Sequence, residues 1–360
     1  MSGLATWLPR QWEHVGWWAL LMWPVQAVLR VLVSLRRRLY SAGWLRSERL
    51  PVPVVVVGNR IAGGAGKTPT TLAVLAHLRQ RGRTPGLISR GHARARDDRT
   101  VVLDAQSAPG LDAQQVGDEP WLMWQRSAVP VAVSRRRADA GRQLLAAHPE
   151  IDVIVADDGL QHLALARDVE VVVFDERGCG NGLLLPAGPL REPAGVGPGP
   201  GCTQAPIVVR THAGPVDAEP SDLPTHHRAR RVLAAPQPFD AWRRGVPAGP
   251  GALPDPLRSL PEGDCVAVAG IAVPERFFQV LRDWGLTFTP CPLADHADFT
   301  HLPWPAGTPH VIMTEKDAVK LDPARLARDC PGTTIWVVPM SLDIEPAFWR
   351  ALDAALTSPA

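Results

Sequence analysis

The stretch from Pro53 to Gly82 constrains this chain more than any other. Val54-Val55-Val56-Val57 is a β-branched run of the kind that forms a buried parallel strand. It leads into GNRIAGGAGKTP, Gly58 to Pro69, and then into TTLAVLAHLRQRG, whose apolar spacing is helical. Strand, glycine-rich loop, Gly66-Lys67-Thr68 and helix, in that order, are the parts of a phosphate-binding loop. Glycines let backbone N–H groups turn inward on phosphates, and the helix N-terminus adds partial positive charge. Gly63, Gly64, Ala65, Gly66, Lys67, Thr68 and Pro69 are therefore the expected nucleotide cradle. Lys67 is expected to reach the β- and γ-phosphates of ATP, and the Thr68 hydroxyl to ligate Mg²⁺. One position departs from the strict G-x-x-x-x-G-K-[ST] pattern: Ile61 stands where the first glycine is expected.

The rest of the chain supplies what such a loop needs. Ile151 to Asp158 (IDVIVADD) reads as a second buried strand ending in two carboxylates, where a Mg²⁺-side acid belongs. Asp118 and Glu119 in Gly117-Asp118-Glu119-Pro120 stand before a helical stretch. Adjacent acids there can divide general-base and metal work, although acids at a helix start are ordinary. Val169 to Asp175 is a further strand, followed by a glycine- and proline-rich loop with one charged fork suited to phosphate, Arg191. Pro193 to Pro206 has no periodicity and reads as a linker. Beyond it, strands at Cys265–Ile271 and Val311–Thr314 around a helix predict a smaller α/β lobe, with His296 beside Asp295. The expected fold class is α/β: a P-loop NTPase-like core with a parallel sheet over 51–205 and a second α/β lobe over 206–360. An N-terminal membrane-associated helical segment over 1–50 precedes them.

That N-terminal assignment rests on charge and aromatic placement. The formal net charge of the chain is only +2, too small to suggest a nucleic-acid partner. The first fifty residues nonetheless hold Arg10, Arg30, Arg36, Arg37, Arg38, Arg46 and Arg49 against Glu13 and Glu48. Trp7, Trp12, Trp17, Trp18, Trp23 and Trp44 crowd the same segment, and tryptophan favours the headgroup level of a bilayer. The apolar run from Val15 to Leu29 reads as shorter than a span and is interrupted by Pro24 and Gln26, so a helix lying in the membrane surface is expected. Cys179, Cys202, Cys265, Cys291 and Cys330 are scattered with no CxxC pair, which argues against a zinc site or disulfide framework.

Taken together, PVPVVVVGN with GGAGKTP, LISRG, GDEP, VIVADDGLQH, GNGLLLPAGPLRE, AGIAVPERFF, PLADH and MTEKDAVK resemble the tetraacyldisaccharide 4′-kinases of Gram-negative lipid A synthesis, in order, from about residue 51 to 320. The resemblance implies transfer of the ATP γ-phosphate to the 4′-hydroxyl of a tetraacyl disaccharide 1-phosphate, giving lipid IVA. It implies ATP and Mg²⁺, a glycolipid substrate, a second lobe closing over the first, and an N-terminal helix on the cytoplasmic face of the inner membrane; a monomer is the expected state. A loop without glycine at 61 is that family's own form. By motif, Asp118 would be the base for the hydroxyl proton, helped by His296. Thr68, Glu119 and Asp157 would form the Mg²⁺ environment, and Lys67 and Arg191 would act on the phosphates. Arg90, Asp158, Gln161 and His162 would line the substrate. After Arg90-Gly91 the chain departs from the family, with His92-Ala93-Arg94-Ala95-Arg96 in place of an aromatic and glycines. A nucleotide hydrolase without a lipid acceptor and a non-enzymatic nucleotide-dependent membrane adaptor are the rival readings. Neither accounts for GDEP, DDGLQH and PLADH together.

Overall fold

The computed structural model describes residues 2–91, 94, 99–213, 223, 225–294 and 297–357. The chain opens with helices α1 (Ser2–Gln11) and α2 (Trp17–Ser41). It continues through β1 (Val54–Asn59), α3 (Lys67–Gln80), β2 (Pro85–Ser89), β3 (Val101–Leu103), α4 (Ala113–Val116), α5 (Asp118–Ser127), β4 (Val131–Val133), α6 (Arg137–Ala147), β5 (Val153–Asp157) and β6 (Val169–Phe174). Then come β7 (Ile207–His212), β8 (His227–Leu233), β9 (Gln237–Pro238), α7 (Phe239–Arg243), α8 (Asp255–Arg258), β10 (Cys265–Ala269), α9 (Pro274–Asp283) and β11 (Thr289–Pro292). The chain ends with β12 (His310–Thr314), α10 (Glu315–Ala318), α11 (Pro323–Asp329), β13 (Thr334–Val338), β14 (Met340–Ile344) and α12 (Pro346–Thr357).

The valine run becomes the middle of a nine-stranded sheet ordered β14-β8-β7-β6-β1-β5-β2-β4-β3. Only the two edge strands, β3 and β14, run antiparallel to their neighbours. Val55, Val56 and Val57 are wholly buried, as a strand covered on both faces must be. Helices α3, α6 and α12 cover the sheet, and their apolar residues Leu75, Leu144 and Phe348 are sunk in one core. A second sheet, β11-β10-β12-β13-β9, builds the smaller lobe. The α/β class, the parallel core sheet and the smaller α/β lobe match the expectation.

The expected lobe boundary at 193–206 is corrected by the pairing. β6 on one side of that segment pairs with β7 on the other, and β8 and β14 extend the same sheet. The small lobe is an excursion between β8 and β14. The chain crosses at Ala234 and again at Pro339, where the Ala234 N–H donates to the Pro339 carbonyl at 2.8 Å. Segment 193–200 is a strap held by buried charge: Arg60 donates to the carbonyls of Ala194 and Val196, and Gly199 N–H donates to Glu170 at 3.0 Å. Composition hid this, because proline and glycine suit an irregular strap as well as a linker.

The N-terminal segment also differs from its expectation. Pro24 and Gln26 lie inside one 25-residue helix, α2, with a mean hydropathy of 1.6 in its most apolar window. By length and composition it is long enough to cross a membrane. Trp17, Leu20, Leu21, Val25, Val28, Val31, Leu32 and Leu35 form one exposed stripe at helical spacing. Ala19 and Gln26 are buried on the opposite face, which docks on the body.

Helix α5 joins the lobes. Met123 lies in the large core, while Leu122 packs with Phe239, Trp242 and Phe299 in the small one. Glu315, buried at the start of α10, accepts from Arg126 of α5 at 2.6 Å, from Trp242 Nε1 at 2.8 Å and from the Met340 N–H at 2.9 Å. Glu315→Ala would orphan these three donors. The expected loss of folding stability is about 3 kcal/mol, read as a lowered denaturant midpoint, with Glu315→Gln losing less.

Candidate active site

Register positions the chemistry. β1 lies between β5 and β6, parallel to both, with Val57 level with Asp157 and Asn59 level with Val173. The loop that leaves β1 therefore has Asp157-Asp158 on one side and Asp175-Glu176-Arg177 on the other. Gly63 and Gly66 take positive φ, +94° and +89°, a conformation that glycine reaches without strain. Gly66 caps α3, so Lys67 and Thr68 fall in the first turn; Ala65 and Pro69 are buried, and Gly63 and Gly64 are exposed. Asn59 ties the loop together: its amide donates to Gly63 O at 3.1 Å and its Oδ1 accepts from Lys67 Nζ at 3.3 Å.

The acids meet the lysine here. Lys67 Nζ lies 3.5 Å from Asp158 Oδ1, which also lies 3.5 Å from Arg191 Nη1. Asp158 sits at φ +47°, and buried Arg137 holds that turn by donating to the carbonyls of Asp157 and Asp158 at 3.3 and 2.9 Å. Asp157 is buried and accepts from the Thr71 hydroxyl at 3.0 Å. Burial first, then the charges of Glu119 and Asp158, pushes its carboxyl up to about 7, with Lys67 opposing. Glu119 and Asp157 thus lie close enough to repel, which a cation would relieve.

Among the described residues, no cluster of three or more His, Cys, Asp or Glu side chains could hold a metal by itself. Magnesium bound with a nucleotide needs no such cage, since one or two carboxylates complete a shell of phosphate and water oxygens. The hydroxyl of Thr68 and the crowded acids Asp157 and Glu119 fit that donor set.

Gln161 and His162 follow the acidic turn. Gln161 Nε2 donates to Asn59 O at 3.1 Å and to Glu192 Oε1 at 3.2 Å. Burial, followed by Arg137, Arg167, Arg36 and Arg90, depresses His162 to about 4, so its ring is neutral near pH 7. Arg90 is exposed on the same flank. Helix α2 reaches this flank directly. Arg36 donates to Gln161 O at 3.1 Å, and Arg37 pairs with Glu192 at 3.1 Å, beside the buried Arg60 at 3.6 Å from that carboxylate. The indoles of Trp12 and Trp18 both donate to Pro186 O at 3.0 Å. These tryptophans anchor the helix pair to the loop that carries Arg191.

Asp118 opens α5 and faces the small lobe, where Lys320 Nζ lies 3.9 Å from its Oδ2. Lys320 also pairs with buried Asp317 at 3.6 Å and donates to Ala297 O at 2.9 Å. His296 and Asp295 lie outside the described residues, as do His92, Ala93, Ala95 and Arg96 of the departure after Gly91. Sequence reasoning missed Asn59, Lys320, Glu192 and Arg177. Asn59 and Arg177 abut signalled stretches, but polar residues beside a glycine loop carry no periodic mark. Lys320 sits in the MTEKDAVK string without a spacing that points to Asp118.

A parallel sheet whose central strand hands a glycine-rich loop and lysine to a helix, with acids on the neighbouring strand end, defines a P-loop phosphotransferase of two lobes. Comparisons narrow the class. The family model for tetraacyldisaccharide-1-P 4′-kinase matches residues 18–357. The tetraacyldisaccharide 4′-kinase of Leptothrix cholodnii is 51% identical over 99% of this chain and 98% of its own. That of Methylibium petroleiphilum is 51% identical over 98% of this chain and 94% of its own. The crystal structure of LpxK from Aquifex aeolicus in complex with ATP superposes with a TM-score of 0.72 at 22% identity, covering 94% of this chain and 99% of that one. The chain belongs to the tetraacyldisaccharide 4′-kinase family.

His162 gives the site a pH signature. Its folded pKa lies below the ordinary value of 6.5, so between about pH 6.5 and 4 the unfolded chain binds the extra proton. Stability should therefore fall as pH falls through that window, and His162→Gln should flatten the slope in denaturant titrations at pH 7, 5.5 and 4.5.

Proposed function

We propose that this chain transfers the γ-phosphoryl group of ATP to the 4′-hydroxyl of tetraacyldisaccharide 1-phosphate, yielding lipid IVA. The observation that carries the proposal is the meeting of Lys67, Asp158 and Arg191 beside the glycine loop, with Asp118 presented at the lobe junction. Family membership gives the reaction its acceptor.

The residues then have distinct work. The loop amides and Lys67 hold the phosphates, and Arg191 offers a second cation toward the transferred group. Asp118 takes the hydroxyl proton as the 4′-oxygen attacks, because a sugar hydroxyl is a poor nucleophile without a base in reach. By motif, His296 would assist that proton transfer. Thr68, Glu119 and Asp157 would hold Mg²⁺, which neutralises phosphate charge when bound. Gln161, His162, Asp158 and Arg90 line the acceptor side, and the neutral ring of His162 can exchange hydrogen bonds with sugar hydroxyls without adding charge. If the small lobe closes over the loop, water is excluded and ATP hydrolysis is suppressed.

The exposed stripe of α2 faces away from the body and would enter the bilayer, with Arg30, Arg36 and Arg38 near anionic headgroups at the cytoplasmic face of the inner membrane. Replacing Leu21 and Leu32 together by glutamate should move the protein from the pellet to the supernatant when it is sedimented with anionic vesicles. Retention in the pellet would discard the stripe as the membrane contact.

The reaction is tested with γ-labelled ATP and the disaccharide 1-phosphate in detergent micelles. Wild type should label the lipid, and Asp118→Ala should slow that labelling by about 10²–10⁴-fold. Label appearing only as free phosphate would favour a hydrolase, whereas full lipid labelling by the variant would keep the kinase and remove Asp118 as its base.

A further inference from the structure

The segment just past β6 carries a group that the reading above does not use. Asp175 is buried at 3% exposure, and its carboxylate is gripped by the Arg177 guanidinium: Nε lies 3.1 and 3.0 Å from its two oxygens, and Nη2 lies 2.8 Å from Oδ2. The two partners are unequally sunk. The Arg177 side chain keeps 31% of its surface while the Asp175 side chain keeps 4%. The pair presents the guanidinium fork outward on a fixed base.

What the fork faces is the glycine loop. A Cβ built on Gly63 would stand 3.4 Å from Arg177 Nη2 and 3.6 Å from Nη1, in ordinary van der Waals contact, so the guanidinium lies directly against this glycine of the loop. The ion pair engages Nε and Nη2, and Nη1 takes no part in it. Gly63 is also the residue whose carbonyl accepts from Asn59, and Asn59 in turn accepts from Lys67 Nζ. The Arg177 fork and the Lys67 ammonium therefore flank the same glycine, at the end of the loop where a P-loop lysine meets the β- and γ-phosphates.

We infer that Arg177 is a further catalytic residue: an arginine supplied in cis, whose guanidinium contacts the γ-phosphoryl oxygens of the bound nucleotide and holds them as charge develops in transfer. The inference rests on the kinase reading above and extends it. In the step, the bond from Pγ to the β–γ bridging oxygen breaks with its electron pair leaving on ADP, the bond from the 4′-oxygen to Pγ forms, and the hydroxyl proton passes to Asp118. Arg177 makes and breaks no covalent bond; it donates N–H groups to γ-phosphoryl oxygens in the planar geometry that arginine offers and lysine lacks. Asp175 is its positioning residue.

The test uses the full chain in detergent micelles and compares wild type, Arg177→Ala and Arg177→Lys. For Arg177→Ala, lipid labelling should fall about 10²–10³-fold in kcat. The dissociation constant for ATP with Mg²⁺ should rise about tenfold while that for ADP with Mg²⁺ moves by less than about twofold, because only ATP carries the group contacted. Arg177→Lys should restore melting temperature without restoring kcat. Equal weakening of ATP and ADP would make Arg177 a brace of the loop and overturn the inference, as would kcat within about threefold of wild type. If wild type itself labelled no lipid, the acceptor assignment would fall, and the ratio of ATP to ADP affinities in Arg177→Ala would still decide the contact.

Discussion

Three parallel strand ends in register are the constraint on which the rest of this structure hangs. β1 pairs in register with β5 and β6, and its valines are buried on both faces. That register brings Asp157 level with Val57 and leaves the loop after Asn59 between two acidic strand ends. A cradle of backbone amides is useful only if the charged groups around it stand still. Here the hydrophobic effect acting on the valine strands does the placing, and the polar residues inherit their positions from it.

The second organising device is ionic and sits between the core and the N-terminal helices. Arg37, Glu192 and Arg60 form a chain of charges, and Arg167 with Glu170 forms another below it, 3.1 Å apart and buried. Buried pairs like these contribute little net stability, since desolvation offsets most of the attraction. Their effect is geometric. Arg60 follows the P-loop strand, Glu192 follows Arg191, and Arg37 lies on α2, so one carboxylate links the apolar helix to both sides of the site. Gln161 joins the same carboxylate at 3.2 Å. On the proposal that α2 enters the bilayer, this carboxylate would couple the membrane helix to both sides of the site.

Much of this was legible from residues alone, and the reasons differ by element. The valine run, GGAGKTP and the acidic end of IDVIVADD are short-range signals, because strand burial, loop glycines and helix onset all act between near neighbours. The 193–206 strap was misread as a boundary because its partners, Arg60 and Glu170, are distant in the chain. The length of α2 was underestimated because Pro24 and Gln26 look like interruptions, whereas a proline in a helix anchored by Trp18 and Arg37 is tolerated. Asn59, Lys320 and Arg177 act through contacts that no spacing encodes.

The lobe junction follows from the same economy of elements. Asp118 and Glu119 begin a helix whose two faces enter two different cores, through Met123 on one side and Leu122 on the other. Glu315 fastens that helix to the small lobe through Arg126, and Lys320, from the same MTEKDAVK string, reaches Asp118. Glu176 adds a second crossing, accepting from Arg231 at 3.1 Å and from Arg276 of the small lobe at 3.3 Å. Its neighbour Arg177 faces the glycine loop. Any movement of the small lobe relative to the sheet must therefore act on the Asp118 side through α5 and on the Arg177 side through Glu176. Asp118 and the loop's strand-side face are thus coupled to the same body, whereas Lys67 is set by the strand register.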